Sequence, residues 1–196
     1  MKYKLTSEYR TVNGVTLYRI EVVKPFAGFN AGDKGGWIEK EANLSQEGSA
    51  WVFDNAAVFG NAVVYGSAWV YGYARVFGNA VVYGSARVYG NAQVLGNAVV
   101  YGYARVFDNA VVYGNAQVGG DAQVCDNAVV CGNALVFGSA VVFDNAQVYG
   151  DAQVYGNARV CVNARVCGSA VVFGNAVVCG DAQVFDKPPS KRDGEV

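Results

Sequence analysis

The sequence predicts an all-β protein built from short stacked strands, and three observations support this prediction. From Val52 to Val184 a valine recurs at every sixth residue. An alanine stands four residues after each of the first 22 of these valines, from Ala56 to Ala182. Between the two, pairs such as Gly-Asn and Gly-Ser are typical of turns. A period of six does not match an amphipathic helix, whose apolar stripe returns every three or four residues.

Each repeat reads as a short strand followed by a turn. Side chains alternate between the two sides of a strand, so valine and alanine share one face, and the residues beside them share the other. The position before valine holds Arg75, Arg87, Arg105, Arg159 and Arg165 as well as Gln, Val and Trp, which indicates a surface position. We therefore expect valine and alanine to point inward and to form one continuous core when the repeats stack.

Two segments flank the repeats. Residues 1–37 contain Asn13-Gly14 between β-rich stretches, a strong hairpin signal, and we predict a small N-terminal β cap there. The repeat region then spans 38–186, beginning with the inward pairs Ile38 with Ala42 and Leu44 with Ala50. Residues 187–196 contain two prolines and several charges, so we predict a disordered tail.

The unit V-x-G-N-A-x resembles the hexapeptide repeat of left-handed parallel β-helices. This resemblance implies triangular coils of 18 residues, about eight of them here, and the left-handed sense. The segment 31–62, AGDKGGWIEKEANLSQEGSAWVFDNAAVFGNA, is similar to the entry segment of uncharacterised hexapeptide-repeat proteins of phages and prophages, some of which are labelled transferases. That family implies a fold and a genomic setting.

Composition narrows the possible functions. The chain has no histidine, which excludes histidine-based catalysis and the acyltransferase and carbonic anhydrase chemistries that the resemblance would otherwise suggest. The formal net charge of −1 argues against nucleic-acid binding. The sequence has neither a membrane-spanning run nor a signal-peptide pattern, so we expect a cytoplasmic protein. We predict no enzyme activity, no metal and no cofactor. Cys161 and Cys179 lie one coil apart, a separation that a disulfide tolerates, but free thiols are favoured for all five cysteines.

Assigning outward side chains to faces with an 18-residue period predicts one face without charge. An exposed apolar strip of this size is rarely left bare, so we expect a homo-oligomer, either dimer or trimer, joined through it. The residues of this predicted self-association face are Phe59, Val63, Phe77, Val81, Leu95, Val99, Tyr113, Leu135, Tyr149, Val171 and Phe185.

Other outward residues are candidates for binding a protein partner of unknown identity. They comprise aromatic, arginine and corner aspartate side chains: Trp69, Tyr83, Arg87, Tyr101, Arg105, Asp108, Asp126 and Asp144. The three aspartates could form a carboxylate ladder, or they could simply turn the chain as Gly and Asn do elsewhere. Arg87 and Arg105 are expected near Tyr83 and Tyr101, where cation–π pairing is favoured over base stacking.

These observations predict a non-catalytic, rigid scaffold that self-associates and binds a protein partner through flat β-helix faces. The phage resemblance suggests an accessory or anti-defence protein. The alternative is a divergent acyltransferase-like or carbohydrate-binding hexapeptide protein whose site the sequence does not reveal.

Overall fold

Each six-residue repeat forms a two-residue strand and a four-residue corner, and three repeats complete one coil. The computed structural model describes residues 1–185, and the tail predicted for 187–196 lies outside the described residues. Strands 18 residues apart pair in parallel and in register, as Val81 does with Val99. The result is a three-sided parallel β-solenoid of about eight coils, which confirms the predicted all-β left-handed parallel β-helix with an N-terminal hairpin.

The strands form three sheets, one on each side of the solenoid. Sheet A has eleven strands: β1 (Tyr3–Val12), β2 (Val15–Val22), β3 (Lys34–Ile38), β5 (Ala57–Val58), β8 (Arg75–Val76), β11 (Gln93–Val94), β14 (Val111–Val112), β17 (Val129–Val130), β20 (Gln147–Val148), β23 (Arg165–Val166) and β26 (Gln183–Val184). Sheet B has eight: β4 (Trp51–Val52), β7 (Trp69–Val70), β10 (Arg87–Val88), β13 (Arg105–Val106), β16 (Gln123–Val124), β19 (Val141–Val142), β22 (Arg159–Val160) and β25 (Val177–Val178). Sheet C has seven: β6 (Val63–Val64), β9 (Val81–Val82), β12 (Val99–Val100), β15 (Gln117–Val118), β18 (Leu135–Val136), β21 (Gln153–Val154) and β24 (Val171–Val172).

The core confirms the predicted inside and outside. Every repeat valine and alanine from Ala56 to Val166 is fully buried, in one continuous cluster along the solenoid axis. Burial of a valine side chain is worth about 1.5 to 3 kcal/mol before entropy is subtracted. No single repeat could bury these side chains alone, so the coils stabilise one another.

The corners depend on a residue with positive φ after the outward aromatic position. Glycine holds most of these positions, and at Gly84 a Cβ atom would lie 2.9 Å from the backbone nitrogen of Gly102 in the next coil. Asparagine side chains beside the corners form ladders, in which Asn97 donates to Asn115 at 2.9 Å. The stacked backbone and the ladders together leave little room for insertions, which fits the uninterrupted repeat.

The N-terminal segment closes the first coil. Strands β1 and β2 form the predicted hairpin at Asn13, β2 pairs with β3, and β3 pairs in parallel with β5. Tyr3 and Ile20 are fully buried in the same core as the repeat valines. The hairpin therefore covers the sheet edge and the apolar end of the core. An uncovered edge could pair with other chains and lead to aggregation.

The prediction that Ala42 of the first coil points inward is wrong. A 3₁₀ helix at Glu41–Asn43 turns Ala42 to the surface and places Asn43 inside, fully buried. The Asn43 side-chain amide donates to the carbonyl oxygens of Gly60 and Ala62 at 3.1 and 2.8 Å. These bonds satisfy the buried amide, so a polar side chain replaces an alanine without an unpaired donor. Ile38, Leu44 and Ala50 are buried as expected.

Among residues 1–185, no helix is long and apolar enough to cross a membrane.

Candidate functional site

The outward columns do not group into faces as the sequence reasoning assumed. On each strand the residue before valine and the residue after it share a sheet, and the next repeat begins beyond a corner. The predicted self-association face therefore combines two sheets that meet at an edge. Phe59, Phe77, Leu95, Tyr113, Tyr149 and Phe185 follow strands of sheet A, whereas Val63, Val81, Val99, Leu135 and Val171 lie on strands of sheet C.

The uncharged surface of the solenoid is the outer side of sheet C. Its outward residues are Val63, Val81, Val99, Gln117, Leu135, Gln153 and Val171 before the valines, and Tyr65, Tyr83, Tyr101, Gly119, Phe137, Tyr155 and Phe173 after them. None of these carries a charge, whereas the repeat strands of sheet A present Arg75 and Arg165, and sheet B presents three arginines. The uncharged face is therefore the outer side of sheet C, and not the edge where sheets A and C meet.

Sheet B carries a pocket of about 290 Å³ near its first coils, lined by Phe53, Asp54, Trp69, Tyr71 and Arg87. The Phe53 ring lies 5.3 Å from the Trp69 ring, edge to face. The Arg87 guanidinium carbon lies 5.3 Å from the centre of the Trp69 ring. Burial raises the pKa of the Tyr71 hydroxyl, which Arg87 and Arg105 partly counteract, so this group stays a hydrogen-bond donor at neutral pH.

The repeat positions the pocket residues on three consecutive strands of one sheet. Phe53 follows β4, Trp69 and Tyr71 flank the valine of β7, and Arg87 begins β10. Asp54 occupies the corner after Phe53 with φ of 50°, and its carboxylate accepts a hydrogen bond from the Gly72 amide at 3.2 Å. The pocket therefore joins an aromatic floor to one carboxylate and one guanidinium.

The structure separates the predicted partner-binding residues into three places. Trp69 and Arg87 line the pocket, with Arg105 on the next strand of sheet B. Tyr83 and Tyr101 lie on sheet C, where their rings stack 5.6 Å apart. The expected neighbourhood of Arg87 and Tyr83 is therefore wrong, because a corner separates them. Arg87 contacts Trp69 instead.

One corner of the solenoid carries a stack of three aspartates that help to turn the backbone, Asp108, Asp126 and Asp144. All three adopt positive φ, as the glycines do at the other corners. The Asp126 carboxylate accepts from the Asp144 amide at 3.2 Å, and the Asp144 carboxylate from the Val162 amide at 3.1 Å. These bonds favour the turn-forming interpretation over the carboxylate-ladder one. Among residues 1–185 no group of acidic or cysteine side chains has a metal-binding arrangement.

The cysteines differ in part from the sequence expectation. Cys161 and Cys179, on neighbouring strands of sheet B, are joined in a disulfide with their Cα atoms 4.7 Å apart, a separation that a disulfide tolerates. The prediction of free thiols is therefore wrong for this pair. Cys125, Cys131 and Cys167 are free. Burial, with Asp126 beside it, raises the pKa of the Cys125 thiol to about 12, so it is not a nucleophile at neutral pH.

Sequence reasoning identified two of the five pocket residues and missed Phe53, Asp54 and Tyr71. The signal was available, because Asp54 stands at a corner where most repeats of the solenoid have glycine, one coil before Trp69 and Tyr71. It was hidden by the incorrect grouping of columns, which placed Phe53 and Trp69 on different faces. With the strand as the unit, their separation of 16 residues makes them diagonal neighbours on one sheet.

Two comparisons with known proteins bear on this fold. The model of the YdcK Beta solenoid repeat family matches residues 56–72, 74–90, 86–102, 104–120, 130–144, 146–161 and 152–168, together more than half of the chain. A 72-residue stretch is 40% identical to a protein of Escherichia coli (strain K12) named "Uncharacterized acetyltransferase YdcK". That match covers 32% of this chain and 22% of the relative, so the chain spans about a fifth of that protein's length.

The name of this relative contradicts the prediction that the chain is not an enzyme. The absence of histidine excludes only the mechanisms that need an imidazole, and carboxylates also act as general bases. The predicted phage setting, cytoplasmic location and protein partner are not addressed by either comparison and stay predictions.

Proposed function

Because the chain belongs to the YdcK β-solenoid repeat family, we propose that it transfers acetyl groups from a thioester donor to a carbohydrate-type acceptor held in the sheet B pocket. The observation that carries this proposal is the pocket of Phe53, Asp54, Trp69, Tyr71 and Arg87. The name of the E. coli relative supports the reaction class.

The side chains of the pocket favour a sugar as acceptor. The C–H faces of a pyranose are apolar and pack on aromatic rings, which Trp69, Tyr71 and Phe53 supply. Its hydroxyl or amino groups need charged or polar partners at the edge of those rings, which Asp54 and Arg87 supply. A volume of about 290 Å³ suits one such ring better than a larger ligand.

The transfer needs a proton acceptor, and Asp54 is the carboxylate that lines the pocket. The acceptor oxygen or nitrogen attacks the thioester carbonyl carbon and loses its proton to Asp54. The carbon–sulfur bond then breaks, and the leaving thiolate takes up that proton. The products are the acetylated acceptor and a free thiol. The Arg87 guanidinium stabilises the negative charge that develops on the carbonyl oxygen. It lies on β10, on one side of the Trp69 strand, and Phe53 lies on the other side.

We expect Trp69 to report acceptor binding. Trp37 and Trp51 are buried, at 7% and 1% exposure, so a ligand in the pocket should change chiefly the fluorescence of Trp69. Titration with a panel of monosaccharides and amino sugars should give a saturable change for at least one of them, and Trp69→Phe should lose it. A matched Trp51→Phe variant should keep it. A change that survives in Trp69→Phe, or no saturable change in the wild type, would contradict the proposed pocket.

A second proposal concerns the uncharged face. We propose that sheet C pairs with sheet C of a second copy to form a dimer. Tyr65, Val171 and Phe173 are 40%, 45% and 59% exposed on a surface that brings no like charges together when it meets itself. Seven strands about 4.8 Å apart and about 15 Å wide offer on the order of 500 Å² per copy, near the lower limit of a stable interface.

Charge on this face should separate the copies. Val99→Glu places a carboxylate at a half-buried outward position of sheet C and should separate the dimer into monomers. Sedimentation or light scattering measures the resulting mass. Val129→Glu places the same change at the same repeat position of sheet A and should leave the dimer intact. A wild-type mass equal to one 20.7 kDa chain at micromolar concentration would rule out the dimer.

A further inference from the structure

On the outer surface of sheet A, at the end covered by the hairpin, two arginines lie close to Trp37, and a third, Arg75, lies two strands beyond it. Arg10 on β1 and Arg19 on β2 approach the Trp37 ring, with guanidinium carbons 4.5 and 5.1 Å from its centre. In the pairing of the sheet, Arg19 is opposite Trp37, Trp37 opposite Ala57, and Ala57 opposite Arg75. Four side chains that could donate hydrogen bonds thus lie within five successive strands of the sheet, from β1 to β8.

These arginines have no acidic partner within the described part of the chain, and Arg10 Nη2 donates only to a backbone carbonyl oxygen, that of Asn55. The ion pairs there join Lys4 and Lys34 to glutamates, and none includes these three arginines. The Nε atoms of Arg10 and Arg19 and the indole nitrogen of Trp37 are buried without a hydrogen-bond partner. Burial lowers the pKa of Arg10, and repulsion from Arg75 and Arg19 lowers it further. Like charges held together without a counter-charge cost stability unless an anion joins them.

We propose that Arg10, Arg19 and Arg75 form a binding site for a diphosphate-bearing ligand. Guanidinium groups match phosphate oxygens in geometry and donate two parallel hydrogen bonds. Two linked phosphates offer enough acceptors for three guanidinium groups, whereas a single carboxylate does not. The site adjoins the sheet B pocket, because Arg10 Nη2 donates to the carbonyl oxygen of Asn55 at 2.8 Å, and Asn55 follows Asp54 in the corner between the two sheets. This inference does not depend on the transfer reaction.

The test is calorimetric titration of the whole chain with inorganic pyrophosphate at constant ionic strength. The wild type should bind it saturably, and Arg75→Gln should weaken binding by at least about tenfold, as loss of one charge-assisted hydrogen bond does. Arg165→Gln is the matched control, since it is exposed at the same repeat position of sheet A near the other end. It should change binding by less than about twofold.

Glutamine already occupies this column at Gln93 and Gln147, so Arg75→Gln is expected to keep the fold, and unchanged thermal melting would confirm that. No saturable binding by the wild type, or equal weakening in Arg75→Gln and Arg165→Gln, would overturn the proposal. Because no acetyl donor or sugar is present, failure here leaves the transfer proposal standing, and failure of transfer leaves this site standing.

Discussion

Val112→Asp should unfold the middle of the solenoid. Val112 lies on β14, fully buried, with Val94 and Val130 above and below it in the stacked core. A carboxylate at this position has no partner and loses its hydration, so we expect a loss of about 3 to 5 kcal/mol in the free energy of unfolding. Chemical denaturation followed by circular dichroism measures this loss.

The neighbouring residue provides the control. Val111→Asp introduces the same carboxylate on the same strand, but Val111 points outward and is only half-buried. We expect it to cost less than about 1 kcal/mol. Equal losses in the two variants would show that the inward and outward assignment is wrong.

Asp54→Gly should reduce acetyl transfer by at least about 100-fold, because it removes the proposed proton acceptor. Glycine stands in this same corner column at Gly72, Gly90 and Gly180, each with positive φ, so the backbone should be unaffected. Asp108→Gly is the matched control, since Asp108 stands in the same column with φ of 56° but outside the pocket. It should keep wild-type turnover. Equal turnover in wild type and Asp54→Gly would remove Asp54 from the mechanism.

The fold could be predicted from the sequence because the repeat leaves few alternatives. Valine at every sixth residue with alanine four later can be buried only by short strands that turn at regular intervals, and the structure buries those positions. The first coil was harder. The exchange of Ala42 for Asn43 depends on a 3₁₀ turn and on two carbonyl acceptors from another coil, which no local pattern displays.

The outer surface was less predictable, because the repeat does not mark where one face ends. An inward valine or alanine belongs to the core whichever strand it is assigned to. An outward residue, in contrast, moves to a different face when its strand assignment changes. Grouping Phe59 with Val63 placed a corner inside a supposed face, whereas the strand joins Val63 to Tyr65. The pocket was missed for the same reason. Its aromatic floor depends on the diagonal approach of Phe53 to Trp69, which requires the correct strand assignment and the ring orientations.

The most direct test of the proposed function is thiol release by the wild-type chain from acetyl coenzyme A in the presence of the sugar and amino-sugar panel. We predict release that depends on at least one member of the panel and that yields an equal amount of acetylated sugar. Thiol release no greater than in a protein-free control with every member of the panel would contradict the proposal that this solenoid is an acetyltransferase.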